Sequence, residues 1–249
     1  MAKKLVAACL AAVLWSAASA ASVSFTGPEA ALIGHLVADD IATWGPNTDT
    51  LLKPTLMVVT ADKLQREYER NEVAGDRAYQ GKSLLVVGAV RSIDRSIGKN
   101  YFIALKGGSN PYMTPRAMMA DGYEDYLASL NKGQSIKLVC QGAGMLVGSA
   151  SLNKCQPIEA WAASQAKQFV TAASGRVAAG EQEAIHIATV GVAMASMLPA
   201  GSACFTDGVA KHDACMAELG KLDKAKGSAA RFKAARAGAA ERMGVTMKN

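Results

Sequence analysis

Residues 64–155 constrain the fold of this 249-residue chain more than any other stretch. They open with a polar helical run, LQREYERNEVAGDRAYQGK, pass into alternating strand, and end with two cysteines on what read as adjacent strands. Within SLLVVGAVRS, Val86, Gly88 and Val90 share one face and Leu85, Val87 and Ala89 the other. Apolar residues on both faces predict a long strand covered on both sides. Gly88 in its middle suits a bulge where a small barrel turns a corner. Residues 93–100 read as the following turn, with Gly98 supplying a positive φ.

Residues 101–106 form a second strand. Residues 112–118 form a weak third, broken by Pro115 and therefore expected at an edge. A short helix over 121–130 ends at Asn131-Lys132-Gly133. Residues 135–141 are the fourth strand, and 145–157 contain the fifth, with Gly142-x-Gly144 as the hairpin turn between them. Strand, strand, strand, helix, strand, strand is the succession of an OB-fold, a five-stranded Greek-key barrel. The expected class is α+β. The barrel domain covers 61–158, a helical and extended segment (21–60) precedes it, and an alanine-rich helical region (159–249) follows. In the first of these flanking parts, Pro28-Glu29 opens a helix that Gly45-Pro46 ends. Residues 56–59 are a short buried strand or lead-in, and Thr60 caps a helix over 61–71. In the last part, the apolar run 185–198 must bury its surface. Cys204 and Cys215 should clip a helical pair, and residues 221–249 should be a solvated helix with a frayed end.

The segments YERNEVAGDRAYQGKSLLVVGAVRSID, NYFIAL, LASLNKGQSIKLVCQGAG and LNKC together resemble the exported OB-fold family called tRNA_anti-like. The features are a helical Asn-Glu lead-in (Asn71, Glu72), Tyr-x-Gly-Lys before the first strand (Tyr79, Gly81, Lys82), and a Lys-Gly turn (Lys132, Gly133). Cysteines late in the barrel (Cys140, Cys155) complete the pattern. The resemblance covers about 95 residues, from about 61 to 158, and leaves out the first 60 residues and the C-terminal 90. Gly75 stands where an alanine is more usual, and the third strand departs from the pattern. The family has no settled activity, so the resemblance bears on the fold far more than on the chemistry.

The N-terminus reads as a cleaved signal peptide. Lys3 and Lys4 are its basic start, residues 5–15 an apolar stretch too short to span a bilayer, and Ala18-Ser19-Ala20 a cleavage site. No later segment is long enough to cross a membrane. The address is periplasmic or secreted. Cys9 leaves with the signal, and the four remaining cysteines fall into two close pairs, Cys140/Cys155 and Cys204/Cys215. An even count, local pairing and export together predict two disulfides. Neither pair has C-x-x-C spacing, so no metal site is expected. The net charge of +6 is concentrated from Lys211 onward, where nine Lys and Arg face four Asp and Glu. That surplus could meet anionic headgroups or an acidic partner, but usually marks a solvated helix face.

No motif supplies an enzyme. Residues 75–83 echo a phosphate-binding loop with the wrong spacing and a strand behind it. There is no Gly-x-Ser-x-Gly elbow. The adjacent carboxylates Asp39-Asp40 and Glu124-Asp125 diverge on a helix and form no acid/base pair. His35, His186 and His212 fall in three separate segments and read as solvated or capping residues. The remaining candidate is a ligand face on the barrel: Arg91, Tyr101, Tyr112 and Arg116, with Phe102, Arg95, Lys99 and Lys106 nearby. Alternation sends Tyr101 and Phe102 to opposite faces, so at least one belongs to the core, and an exported chain meets little nucleic acid. The expectation is an exported, non-catalytic binding protein without a cofactor, engaging a protein or an envelope component. A periplasmic enzyme and an oligonucleotide or glycan binder are the alternatives.

Overall fold

The computed structural model describes residues 23–95, 101–206 and 209–246; the expected signal peptide and the Gly98 turn lie outside them. Six strands form one sheet: β1 (Met57–Thr60), β2 (Ser83–Arg95), β3 (Tyr101–Leu105), β4 (Arg116–Met119), β5 (Ser135–Leu146) and β6 (Ser149–Pro157). The order β2-β3-β4-β6-β5 closes on itself because β5 also pairs with β2. The β4–β6 pair is parallel and the rest of the ring is antiparallel, as an OB-fold barrel requires. The short β1 runs parallel beside the first half of β2, from Leu84 to Val87.

Period-two alternation along β2 builds two cores at once. Leu84, Val86 and Val90 point into the barrel with Ile103, Leu105, Leu138 and Leu152. Leu85 points outward and joins Val139, Ile158 and Ala162 in a second core shared with the helices. Helices α2 (Ala61–Arg70) and α3 (Glu72–Tyr79) cover the barrel with Leu64, Tyr68 and Tyr79, and α4 (Glu124–Ser129) adds Leu127. Thr60 caps α2 through its hydroxyl, which accepts from the Lys63 amide at 3.1 Å.

Three local expectations need correction. The bulge in β2 falls at Arg91, where the register shifts between Val90 and Ser92, and not at Gly88. Gly88 is needed instead because a Cβ there would stand 2.8 Å from that of Ala61. The third strand begins after Pro115 and is paired on both sides, by β3 and β6. It is no edge, because barrel closure removes edges and the proline precedes the ladder. Finally, Gly142 and Gly144 lie inside β5, within a shift of register against β6. Gly142 lets the strand pass the Tyr79 carbonyl, which a Cβ would meet at 2.1 Å. The hairpin turn is Val147-Gly148, between the paired residues Leu146 and Ser149. Both turn residues have positive φ, 50° and 74°. For a β-branched residue such a φ costs roughly 1–2 kcal/mol.

The flanking helices form a layer against the barrel: α1 (Gly27–Thr43), α5 (Ile158–Ala178), α6 (Gln182–Met197), α7 (Val209–Lys224) and α8 (Ser228–Met243). The apolar run 185–198 is buried against α1, α5 and α8 through Ile185, Ile187, Ala188 and Val192. The Cys204–Cys215 disulfide ties a short 3-10 turn (Ala203–Phe205) to α7 and does not clip two long helices together. Helix α8 is docked rather than solvated. It buries Ala239, Ala240 and Met243, and Arg242 Nη1 donates to Glu29 Oε1 at 2.6 Å. The Cys140–Cys155 disulfide joins β5 to β6. No described helix is long and apolar enough to cross a membrane.

Candidate functional site

Helix α1 carries small residues four apart, at Ala30, Gly34, Ala38 and Ala42, which places them on one face. Helix α5 meets that face with Ala163, Ala166 and Val170. Small side chains on both walls leave a groove of about 610 Å³ between the helices. A Cβ on Gly34 would stand at ordinary contact, 3.6 Å from Val170 Cγ2. The walls are mostly apolar, and Lys167, Glu159 and Asp213 supply charge.

His35 and His212 also line the groove. These histidines, expected in unrelated segments, meet across 177 residues with their Nδ1 atoms 3.3 Å apart. Of the solvated or capping roles expected for it, His35 does not take the solvated one, because it is buried. Its Nε2 lies 3.0 Å from the Thr206 carbonyl oxygen, which can only accept. The network therefore assigns the His35 proton to Nε2 and leaves Nδ1 to accept from His212 Nδ1–H. His212 Nε2 lies 3.7 Å from Asp39 Oδ1. Among the described residues lining the groove, no nucleophile stands beside the pair. No serine or cysteine among the described residues lines the groove, and the Thr171 hydroxyl donates to the Lys167 carbonyl at 2.9 Å. Among the described residues, no group of three or more His, Cys, Asp or Glu side chains could hold a metal ion. The groove combines mostly apolar walls with hydrogen-bonding groups at one part of them.

The ligand-face residues are divided. Arg91 is half-buried in the β2 bulge. Arg116 pairs with Ala104, on the Phe102 side of β3, and its guanidinium lies 5.7 Å from the Phe102 ring centroid. Tyr101 belongs to the opposite face of β3, beside Arg95, whose guanidinium stands 5.8 Å from its ring centroid. Tyr112 is 83 % exposed in the loop between β3 and β4. Arg116 and Phe102 thus come together, Tyr101 and Tyr112 lie elsewhere, and both β3 rings are approached by a guanidinium. The missed site was signalled in the sequence by the four-residue spacing of small residues in α1. The histidine contact had no such signal.

The tRNA_anti-like family model matches residues 3–156, more than half of the chain and further toward the N-terminus than the resemblance in the sequence. No curated protein matches. A solved structure from Klebsiella pneumoniae subsp. pneumoniae, a lipoprotein named for a proposed nucleic acid-binding role, is 15% identical. The alignment covers 40% of this chain and 90% of that one, at a TM-score of 0.32. On the extent of the family match, this chain belongs to the tRNA_anti-like family.

Proposed function

We propose that this chain is an exported, non-catalytic binding protein of the periplasm that engages a protein or another envelope component through the α1–α5 groove. The observation that carries this reading is the groove itself, a mostly apolar trough of about 610 Å³ lined chiefly by small residues, with charged and histidine side chains among them. Binding sites are concave and mostly apolar, with a few placed polar groups, and the histidine pair supplies those. The two disulfides fit an oxidising compartment. The described lining offers small apolar side chains over most of its surface, which supports binding over catalysis. The divided barrel face, with guanidinium groups already beside both β3 rings, makes it the weaker candidate. Photo-crosslinking from Lys167 in intact cells tests the proposal, comparing the natural chain with an Ala163→Trp variant that fills the trough. A discrete adduct should form with the natural chain and disappear in the variant. Absence of any adduct, or an identical adduct in both, overturns the reading.

A further inference from the structure

Away from the groove, two turns of the barrel meet and expose four large apolar side chains. Tyr112 and Met113 lie in the β3–β4 loop, and Leu146 and Val147 end the β5–β6 hairpin. The turns are in direct contact, since a Cβ on Gly148 would stand 2.1 Å from Met113 Sδ. Tyr112 and Val147 are 83 % and 78 % exposed. Neither segment carries charge: residues 107–115 and 138–153 contain no Asp, Glu, Lys or Arg. The position of Val147 is the telling feature. A two-residue turn with positive φ at both central positions is built most easily from Asn-Gly or Asp-Gly. Here a β-branched apolar residue occupies the first position at φ 50°, gaining no burial in return. Strain kept at an exposed residue points to a use for that side chain.

We infer that this apolar tip inserts into the interfacial region of a lipid bilayer. Tyr112, Leu146 and Val147 each leave most of their surface in solvent, so the tip can enter a fluid apolar phase without the shaped complement that a protein partner would have to provide. Four side chains are also few beside the 20–30 residues per partner of a standard protein interface. A bilayer interface takes up a small aliphatic tip, and tyrosine is enriched at that depth. With no cation in either segment, and with the Asp62 and Glu69 carboxylates accepting from Gly108 and Ser109 at the start of the loop, insertion should gain nothing from anionic lipid and should survive added salt. This surface is separate from the α1–α5 groove, so the tip and the groove can fail independently.

The test is flotation of the purified chain with phosphatidylcholine vesicles, comparing it with Val147→Asn. The variant should bind about ten-fold more weakly, while its thermal midpoint rises by about 2–4 °C on relief of the turn. Residues 1–22 are common to both proteins, and a local probe separates their contribution. In Tyr112→Trp, the tryptophan emission added to that of the parent should be quenched by brominated lipid. Three results would each overturn the inference: unchanged binding in Val147→Asn, added emission at 112 that is not quenched, or binding that is lost in 0.5 M salt. A Val147→Asn variant that keeps full vesicle binding but loses a protein crosslink would also overturn it, in favour of a protein partner.

Discussion

Lys137 Nζ stands 2.7 Å from the carbonyl oxygen of Trp44, so a barrel strand caps the end of the groove's first helix. The same ammonium donates to the carbonyl oxygens of Ala42 and Thr43, both at 3.0 Å. These are orphan carbonyls at the negative end of the α1 dipole. Burial lowers the Lys137 pKa below its usual value, but the three acceptors need an N–H donor at this point. Lys137→Met should destabilise the chain by about 1–3 kcal/mol in urea melts. Amide exchange should rise over residues 40–46 before it rises in the barrel. Uniform exchange across both regions would contradict the cap.

The Glu29–Arg242 pair is sensitive to acid. Burial alone would raise the Glu29 pKa. Arg242, together with the Thr26 amide and hydroxyl, outweighs that and leaves it below its usual value. A lowered carboxyl pKa contributes stability that is present above the unfolded value and is lost as pH falls through the folded one. Stability from this pair should therefore fade below about pH 4.5. Arg242→Ala should cost about 1 kcal/mol at neutral pH. The difference between the two proteins should shrink in melts recorded toward pH 3.

The disulfides are testable by mass. Non-reduced peptides should show Cys140 joined to Cys155 and Cys204 to Cys215. Replacing Cys140 and Cys155 together by alanine opens a loop spanning 15 positions, which in the chain-entropy model costs about 3 kcal/mol. Free thiols at these positions in protein recovered from its natural compartment would contradict the pairing.

Gln65 is fully buried in the barrel, where its amide holds the hairpin. Nε2 donates to the Gly148 carbonyl at 2.8 Å, and Oε1 accepts from the Ala150 amide at 2.9 Å. Gln65→Leu leaves both backbone groups without those partners and should cost about 2–4 kcal/mol in equilibrium unfolding. A neutral result would mean that solvent replaces the amide.

The buried run 185–198 predicts resistance to elastase, which favours small residues. Cutting should spare this run while the chain is folded. Early cleavage inside it would show that the helical layer opens locally.

Parts of this architecture were written in short stretches of sequence and parts were not. Leu84, Leu85 and Val86 declare a strand covered on both sides because side-chain period two is a local property. Pro115 misled because composition does not say whether a proline lies within a ladder or one step before it. Gly142 and Gly144 misled for a similar reason: a glycine that avoids the Tyr79 carbonyl looks like a glycine that makes a turn. The groove was half legible, since the spacing of Ala30, Gly34, Ala38 and Ala42 is local, whereas the α5 wall facing it is not. The His35–His212 contact depends on packing between segments 177 residues apart, and nothing near either residue announces it.

Arg242 and Glu29 lie 213 residues apart, which fixes an order of assembly. The barrel is complete by Pro157 and needs nothing that follows it to pair its strands. In the helical layer α1 packs chiefly on α5 and α6, and the later helix α8 adds the Glu29–Arg242 tie. Because loop closure over such a span is slow to be rewarded, the barrel should be the early folding unit. A chain cut short before residue 242 therefore has a finished barrel and an α1 already packed on α5 and α6, but lacks the tie that fastens α8 to them.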